Sequence, residues 1–209
     1  MDAFLFLPLL LGIGGAIIVA KLGPKIGLND IPSNRSSHTL STPKGGGIGI
    51  LIAFFFASLY LTISWTFWLP SLMIALISFG GDKIEISPKI RLICQFLLAG
   101  IVLWNLELNK FLSFVNNSET AIVTTVLYLA LFIIFLILIV GTANLYNFMD
   151  GINGLAGITG VIAFFLLGTV SASNELSPDY SLLAFGISLA TLGFLPFNFP
   201  KARVFMGDV

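Results

Sequence analysis

Between Ala121 and Asp150 the chain reads AIVTTVLYLALFIIFLILIVGTANLYNFMD, and that run decides the solvent in which the protein folds. No residue from Ala121 to Ala143 is charged, and the stretch reaches the ~17 to 25 apolar residues that a helix needs to cross a bilayer. Asn144, Asn147 and Asp150 then set two amides and a carboxylate at its mouth. Ionisable and amide groups at a membrane edge are costly and mark function. If the helix continues through them, each three-residue step turns about 300°, so the three fan across one flank and are available to one ligand.

The rest of the composition agrees with that solvent. Of 209 residues, 57% are hydrophobic, 10% are charged and 20 are Phe, and the mean hydropathy is +1.02. A water-soluble core would need far more polar residues to cover it. The sequence therefore predicts an all-α, polytopic transmembrane helical bundle forming a single membrane domain over residues 1–209. About seven apolar segments can be marked, roughly residues 4–22, 47–64, 67–80, 91–107, 121–143, 152–170 and 180–197. The third is short and bounded by Pro70. The first lacks a small-residue cleavage site and leads into a long polar loop, so it reads as an uncleaved span. No repeat, heptad or low-complexity tract appears, and the lone Cys94 reads as a buried thiol.

Charge placement gives an orientation. With the N-terminus outside, the loops after spans 1, 3, 5 and 7 are cytosolic and hold Lys21, Lys25, Arg35, Lys44, Lys83, Lys89, Arg91, Lys201 and Arg203. Only Lys110 remains outside, a strong positive-inside pattern. Asp82, Asp150 and Asp208 then fall beside span ends on the cytosolic face. Oxygen ligands from separate helices meeting at one membrane face suit a hard cation such as Mg2+; solvation of each acid alone is the simpler alternative. The first cytosolic loop, Asp30 to Gly47, reads DIPSNRSSHTLSTPKGGG. Arg35, His38 and Lys44 offer positive charge, and three glycines let backbone amides approach an anion. The simpler readings are a positive-inside anchor for the cations and close helix packing for the glycines. It is not a Walker loop, because the Lys precedes the glycines. Ser87-Pro88 reads as an N-cap followed by proline at the first helical position.

Four segments, from Asp30 to Gly47, Gly80 to Arg91, Asn144 to Gly157 and Pro200 to Asp208, together resemble the polyprenyl-phosphate N-acetylhexosamine-1-phosphate transferases. That family includes the undecaprenyl-phosphate GlcNAc-1-phosphate transferases, to whose branch Asn147-Phe-Met-Asp-Gly-Ile-Asn-Gly-Leu-Ala156 and Arg35-Ser-Ser-His38 look similar. The resemblance implies transfer of N-acetylhexosamine 1-phosphate from cytosolic UDP-GlcNAc, or a related UDP-sugar, to undecaprenyl phosphate. Such a step initiates cell-envelope polysaccharide, for example O-antigen in lipopolysaccharide biosynthesis, and belongs to cell wall biogenesis. It implies Mg2+, with Mn2+ able to substitute, and a bacterial inner membrane location with the active face cytosolic. Under this reading Asp82, Asp150 and Asp208 are catalytic, with Asp150 and Asp82 or Asp208 on the metal. Asn144 and Asn147 orient the nucleotide sugar, and Arg35, His38 and Lys44 bind phosphate.

Two departures bear on that expectation. Gly81 stands where the family has the first of two adjacent aspartates, and the chain stops at Val209, where the family continues with Gly-Ser and further spans. A truncated enzyme is therefore one expectation. An inactive fragment of a split or degraded gene, pairing with a C-terminal fragment, is the second. A transporter is the third, disfavoured because the acids flank spans on one side and no inverted repeat is evident. A homodimer is compatible with all three.

Overall fold

Inside a bilayer each backbone N–H and C=O must find its partner within the protein, and apolar runs of this length do so as helices. The computed structural model describes residues 2–30, 41–81, 87–116, 121–173 and 178–207. Its helices are α1 (Asp2–Leu22), α2 (Ile48–Tyr60), α3 (Trp65–Gly81), α4 (Pro88–Asn116), α5 (Ala121–Met149), α6 (Leu155–Ser173) and α7 (Pro178–Asn198). Each matches one expected apolar segment. Five are long and apolar enough to cross a membrane, whereas α2 and α3 are shorter. Pro70 lies inside α3 rather than bounding it, and a tight turn with Thr62 at φ 52° joins α2 to α3. Ser87 caps α4 as expected, its Oγ accepting the Ile90 N–H at 3.4 Å.

Helix α5 continues unbroken through Asn144 and Asn147 for 29 residues. At 1.5 Å per residue it is about 43 Å long, longer than a hydrocarbon core of about 30 Å. Its polar end thus has a place outside the oily layer. Most of α5 is exposed to the surroundings, as suits a helix facing lipid.

The packed centre is α7, which lies against α1, α2 and α6, while α4 pairs with α3 and α5. Lipid gives no hydrophobic drive to hold helices together, so small residues that allow backbone approach carry the seams. A Cβ on Gly15 would come within 2.5 Å of Gly49, and one on Gly12 or Gly193 would run into the backbone of Ala190 or Leu9. One apolar cluster (Ala16, Val19, Ala156, Phe194, Val204, Met206) fills the end of the bundle where α1 and α7 finish. A second (Ala57, Leu61, Ile63, Leu183) fills the opposite end.

Successive helices alternate in direction, so α1, α3, α5 and α7 finish where α2, α4 and α6 begin. Among the described basic residues, Lys21, Lys25, Lys44, Lys89, Arg91, Lys201 and Arg203 flank helices at that end, and Lys110 lies toward the other, late in α4. At the same end two short strands, β1 (Asn29–Asp30) and β2 (Thr42–Pro43), pair antiparallel. They tie together the stems of the first loop; its residues 31–40 lie outside the described residues.

Candidate active site

Asp150 is the first residue past α5, and the chain turns there toward α6. The residue is buried, only 8% exposed. The Met206 N–H donates to Oδ1 at 3.0 Å and the Gly207 N–H donates to Oδ2 at 2.7 Å. A buried carboxylate receiving backbone amides is a charge-assisted and well-compensated arrangement. The segment it grips is itself stitched to the base of the first loop. The Phe205 N–H donates to the Pro43 carbonyl at 2.8 Å, Gly46 N–H to Phe205 at 2.9 Å, and Gly47 N–H to Met206 at 2.9 Å. Three stretches distant in sequence thus meet at one end of the bundle. The end of α3 joins them, because a Cβ on Gly45 would sit 3.1 Å from the Phe79 ring.

Gly207 makes this meeting sterically allowed. Its φ is +79°, and a Cβ there would lie 2.5 Å from the Gly45 nitrogen; both facts demand glycine. The amides of Gly46 and Gly47 are occupied by the Phe205 and Met206 carbonyls. The glycines therefore serve loop-to-loop pairing, where the sequence reading had offered their amides to an anion.

A second polar tie lies behind the first. Asn198, at the end of α7, is fully buried. Its Oδ1 accepts the Gly154 N–H at 2.8 Å, and its Nδ2 donates to the Val204 carbonyl at 3.0 Å. The sequence reading missed it. The available signal was an amide inside the apolar string Phe197-Asn198-Phe199 at a helix end. Nearby, Asn153 Nδ2 reaches the Pro200 carbonyl at 3.4 Å, and its buried Oδ1 has no hydrogen-bond partner among the described residues.

The flank expected to hold one ligand is divided. Asn144 Nδ2 donates to Gln95 Oε1 of α4 at 2.7 Å and to the Val140 carbonyl at 2.8 Å. Both its N–H groups are therefore engaged, and one of them ties α4 to α5. Six residues along a helix amount to about 120° of rotation, which is why Asn144 meets α4 while Asp150 meets the 206–207 segment. Asn147 lies between them, half-buried, and among the described residues its side-chain amide has no hydrogen-bond partner. Lys44 is half-buried, its backbone N–H donating to the Leu28 carbonyl at 3.1 Å. Asp82, Asp208, Arg35 and His38 fall outside the described residues.

Beside this junction opens a cavity of about 770 Å3. Gly47, Tyr146 and Met206 line its near end, Ala75 and Thr191 its middle, and Phe67, Ser171 and Tyr180 its far end. It runs between the two ends of the bundle, and its wall is overwhelmingly apolar.

The profile of glycosyl transferase family 4 matches residues 64–209. The chain belongs to that family. A search of curated proteins finds no match. Membership makes this a multi-pass membrane protein of a transferase family, and the transporter reading goes no further. In this family 4 member the matched region holds α3 to α7, Asp150, Asn198 and the 204–207 segment, while the first loop precedes it. The backbone bonds from Gly46 and Gly47 join the two parts.

The metal that the sequence reading expects can be tested against the donor set. Among the described residues no three His, Cys, Asp or Glu side chains gather as a metal site. Asp150 supplies a carboxylate, the ligand type that suits a hard cation, and it already accepts the Met206 and Gly207 amides.

Proposed function

We propose that this family 4 member transfers N-acetylhexosamine 1-phosphate from a UDP-sugar, UDP-GlcNAc being the first choice, to a polyprenyl phosphate such as undecaprenyl phosphate. The observation that carries the reading is the meeting of Asp150, the Gly45–Gly47 turn, the end of α3 and the Val204–Gly207 segment at one end of the bundle. Described residues from the segments that resemble the polyprenyl-phosphate transferases, Gly45–Gly47, Asp150 and Val204–Gly207, are among those that meet there.

The reaction forms one P–O bond and breaks another. An oxygen of the lipid phosphate attacks the sugar-bearing phosphorus, the bond to the uridine-bearing phosphate breaks, and UMP leaves with the electron pair. In such transfers the protein mainly aligns the reactants and neutralises charge. Asp150, with Asp82 or Asp208, would hold Mg2+, which when bound neutralises the donor diphosphate. Asn147 offers an amide to the nucleotide sugar, and Asn144 offers its remaining acceptor from a position fixed by Gln95. Lys44, with Arg35 and His38, places positive charge near the phosphates. The concentration of basic residues at this end supports a cytosolic active face and an outer N-terminus under the positive-inside rule. In a bacterium that membrane is the inner one, and the product would feed cell-envelope polysaccharide, lipopolysaccharide included.

The cavity supports a lipid acceptor. Its near end touches Met206 and Gly47, so a chain lying in it would present its phosphate at the junction. Ala75→Trp places an indole in the middle of that space. Overpacking penalties of about 1 to 3 kcal/mol correspond to a KM for undecaprenyl phosphate raised by about five- to 150-fold. The KM for UDP-GlcNAc should stay within about two-fold, since the donor does not enter the cavity. Equal effects on both substrates in steady-state kinetics would remove the cavity from the acceptor site.

A further inference from the structure

Asn198 is fully buried and ties two places that no helix joins. Through Oδ1 it holds Gly154, the residue just before α6, and through Nδ2 it holds the Val204 carbonyl. Gly154 is fixed from another side as well: its φ is +77°, and a Cβ there would come within 2.6 Å of the Phe199 ring. Three residues past Val204, Gly207 is gripped by Asp150. The α5–α6 turn and the Val204–Gly207 segment are therefore bonded twice, once at each end, in a closed circuit through Asp150, Gly154, Asn198, Val204 and Gly207. These two ties add to the backbone bonds through Pro43, Gly46 and Gly47 that hold the middle of the segment, and the one through Asn198 links its Val204 end to the α5–α6 turn.

We propose that Asn198 is a positioning residue of this site, its amide holding the Val204–Gly207 segment in the alignment to the Asp150 turn that donor and metal binding require. The inference rests on the transferase reading above. Asn198 touches neither substrate in this scheme and acts through Val204 and Gly154.

The test compares the unaltered protein with Asn198→Leu, which keeps the side-chain size and removes both bonds. Amide hydrogen exchange across residues 203–207 in detergent should quicken by about five-fold or more, the equivalent of a lost hydrogen bond of about 1 kcal/mol. UMP release from UDP-GlcNAc with undecaprenyl phosphate should fall at least about ten-fold in kcat, with the Mg2+ concentration for half-maximal rate raised several-fold. The KM for undecaprenyl phosphate should not move. Asn198→Asp, which retains the acceptor for Gly154 and loses the donor to Val204, gives the same comparison if the leucine variant fails to fold. Faster exchange with unchanged kcat and Mg2+ dependence would reduce Asn198 to a packing residue. Unchanged exchange would overturn the proposal at its root. If the unaltered protein itself releases no UMP, the transferase reading fails and takes the positioning role with it, an outcome distinct from a defect seen only in the variant.

Discussion

Asp150→Asn is expected to lower UMP release by at least about 100-fold and to lower thermal stability as well. The first effect follows from removing the carboxylate that, in the proposed reaction, would hold Mg2+ against the donor diphosphate, where loss of one electrostatic contact typically costs about 100- to 1,000-fold. The second follows from the two amides that Asp150 holds. Asparagine keeps one acceptor oxygen and turns the other position into a donor, which then faces the N–H of Met206 or Gly207. A lost hydrogen bond to a charged group costs about 1.5 to 3 kcal/mol. Kinetics and a melting curve on the same purified protein check both. A variant that loses turnover while melting unchanged would mean that Asp150 does not brace the 206–207 segment. One that melts lower but turns over normally would remove it from the chemistry.

Gly207→Val should be as damaging, for a different reason. A β-branched residue at φ +79° costs about 1 to 3 kcal/mol in backbone strain, and its Cβ has the Gly45 backbone 2.5 Å away. Neither side can yield cheaply, because Gly46 and Gly47 are bonded to Phe205 and Met206. The 43–47 and 204–207 segments must separate, and turnover should fall below detection with a drop in melting temperature. Gly100→Ala is the control, since nothing lies within 4 Å of a Cβ there. A Gly207→Val protein with normal turnover would show that the pairing of the two segments is dispensable.

Much of this was legible in the letters. Apolar run length located every helix, because in lipid the backbone has no alternative partner, and the grouping of Lys and Arg marked the end where the motifs meet. Asp150 stood out because a carboxylate after such a run needs a reason. What the letters hid was direction. Asn144 and Asp150 read as companions on one flank, yet about 120° of helix rotation sends one to Gln95 and the other to Met206 and Gly207. The glycines after Lys44 read as an anion cradle, but a backbone donor looks the same in sequence whether it meets a phosphate or a carbonyl. Asn198 stands out in sequence only as an amide in an apolar string, and its role is hidden for a related reason: its partners are backbone atoms 44 and 6 residues away, and backbone partners leave no trace in composition.

The most direct measurement is release of UMP from UDP-GlcNAc by membranes carrying this chain, with undecaprenyl phosphate and Mg2+ supplied. The account predicts release that needs all three components, stops on chelation of the metal, and is lost in Asp150→Asn. No UMP above that of membranes lacking the protein would contradict it.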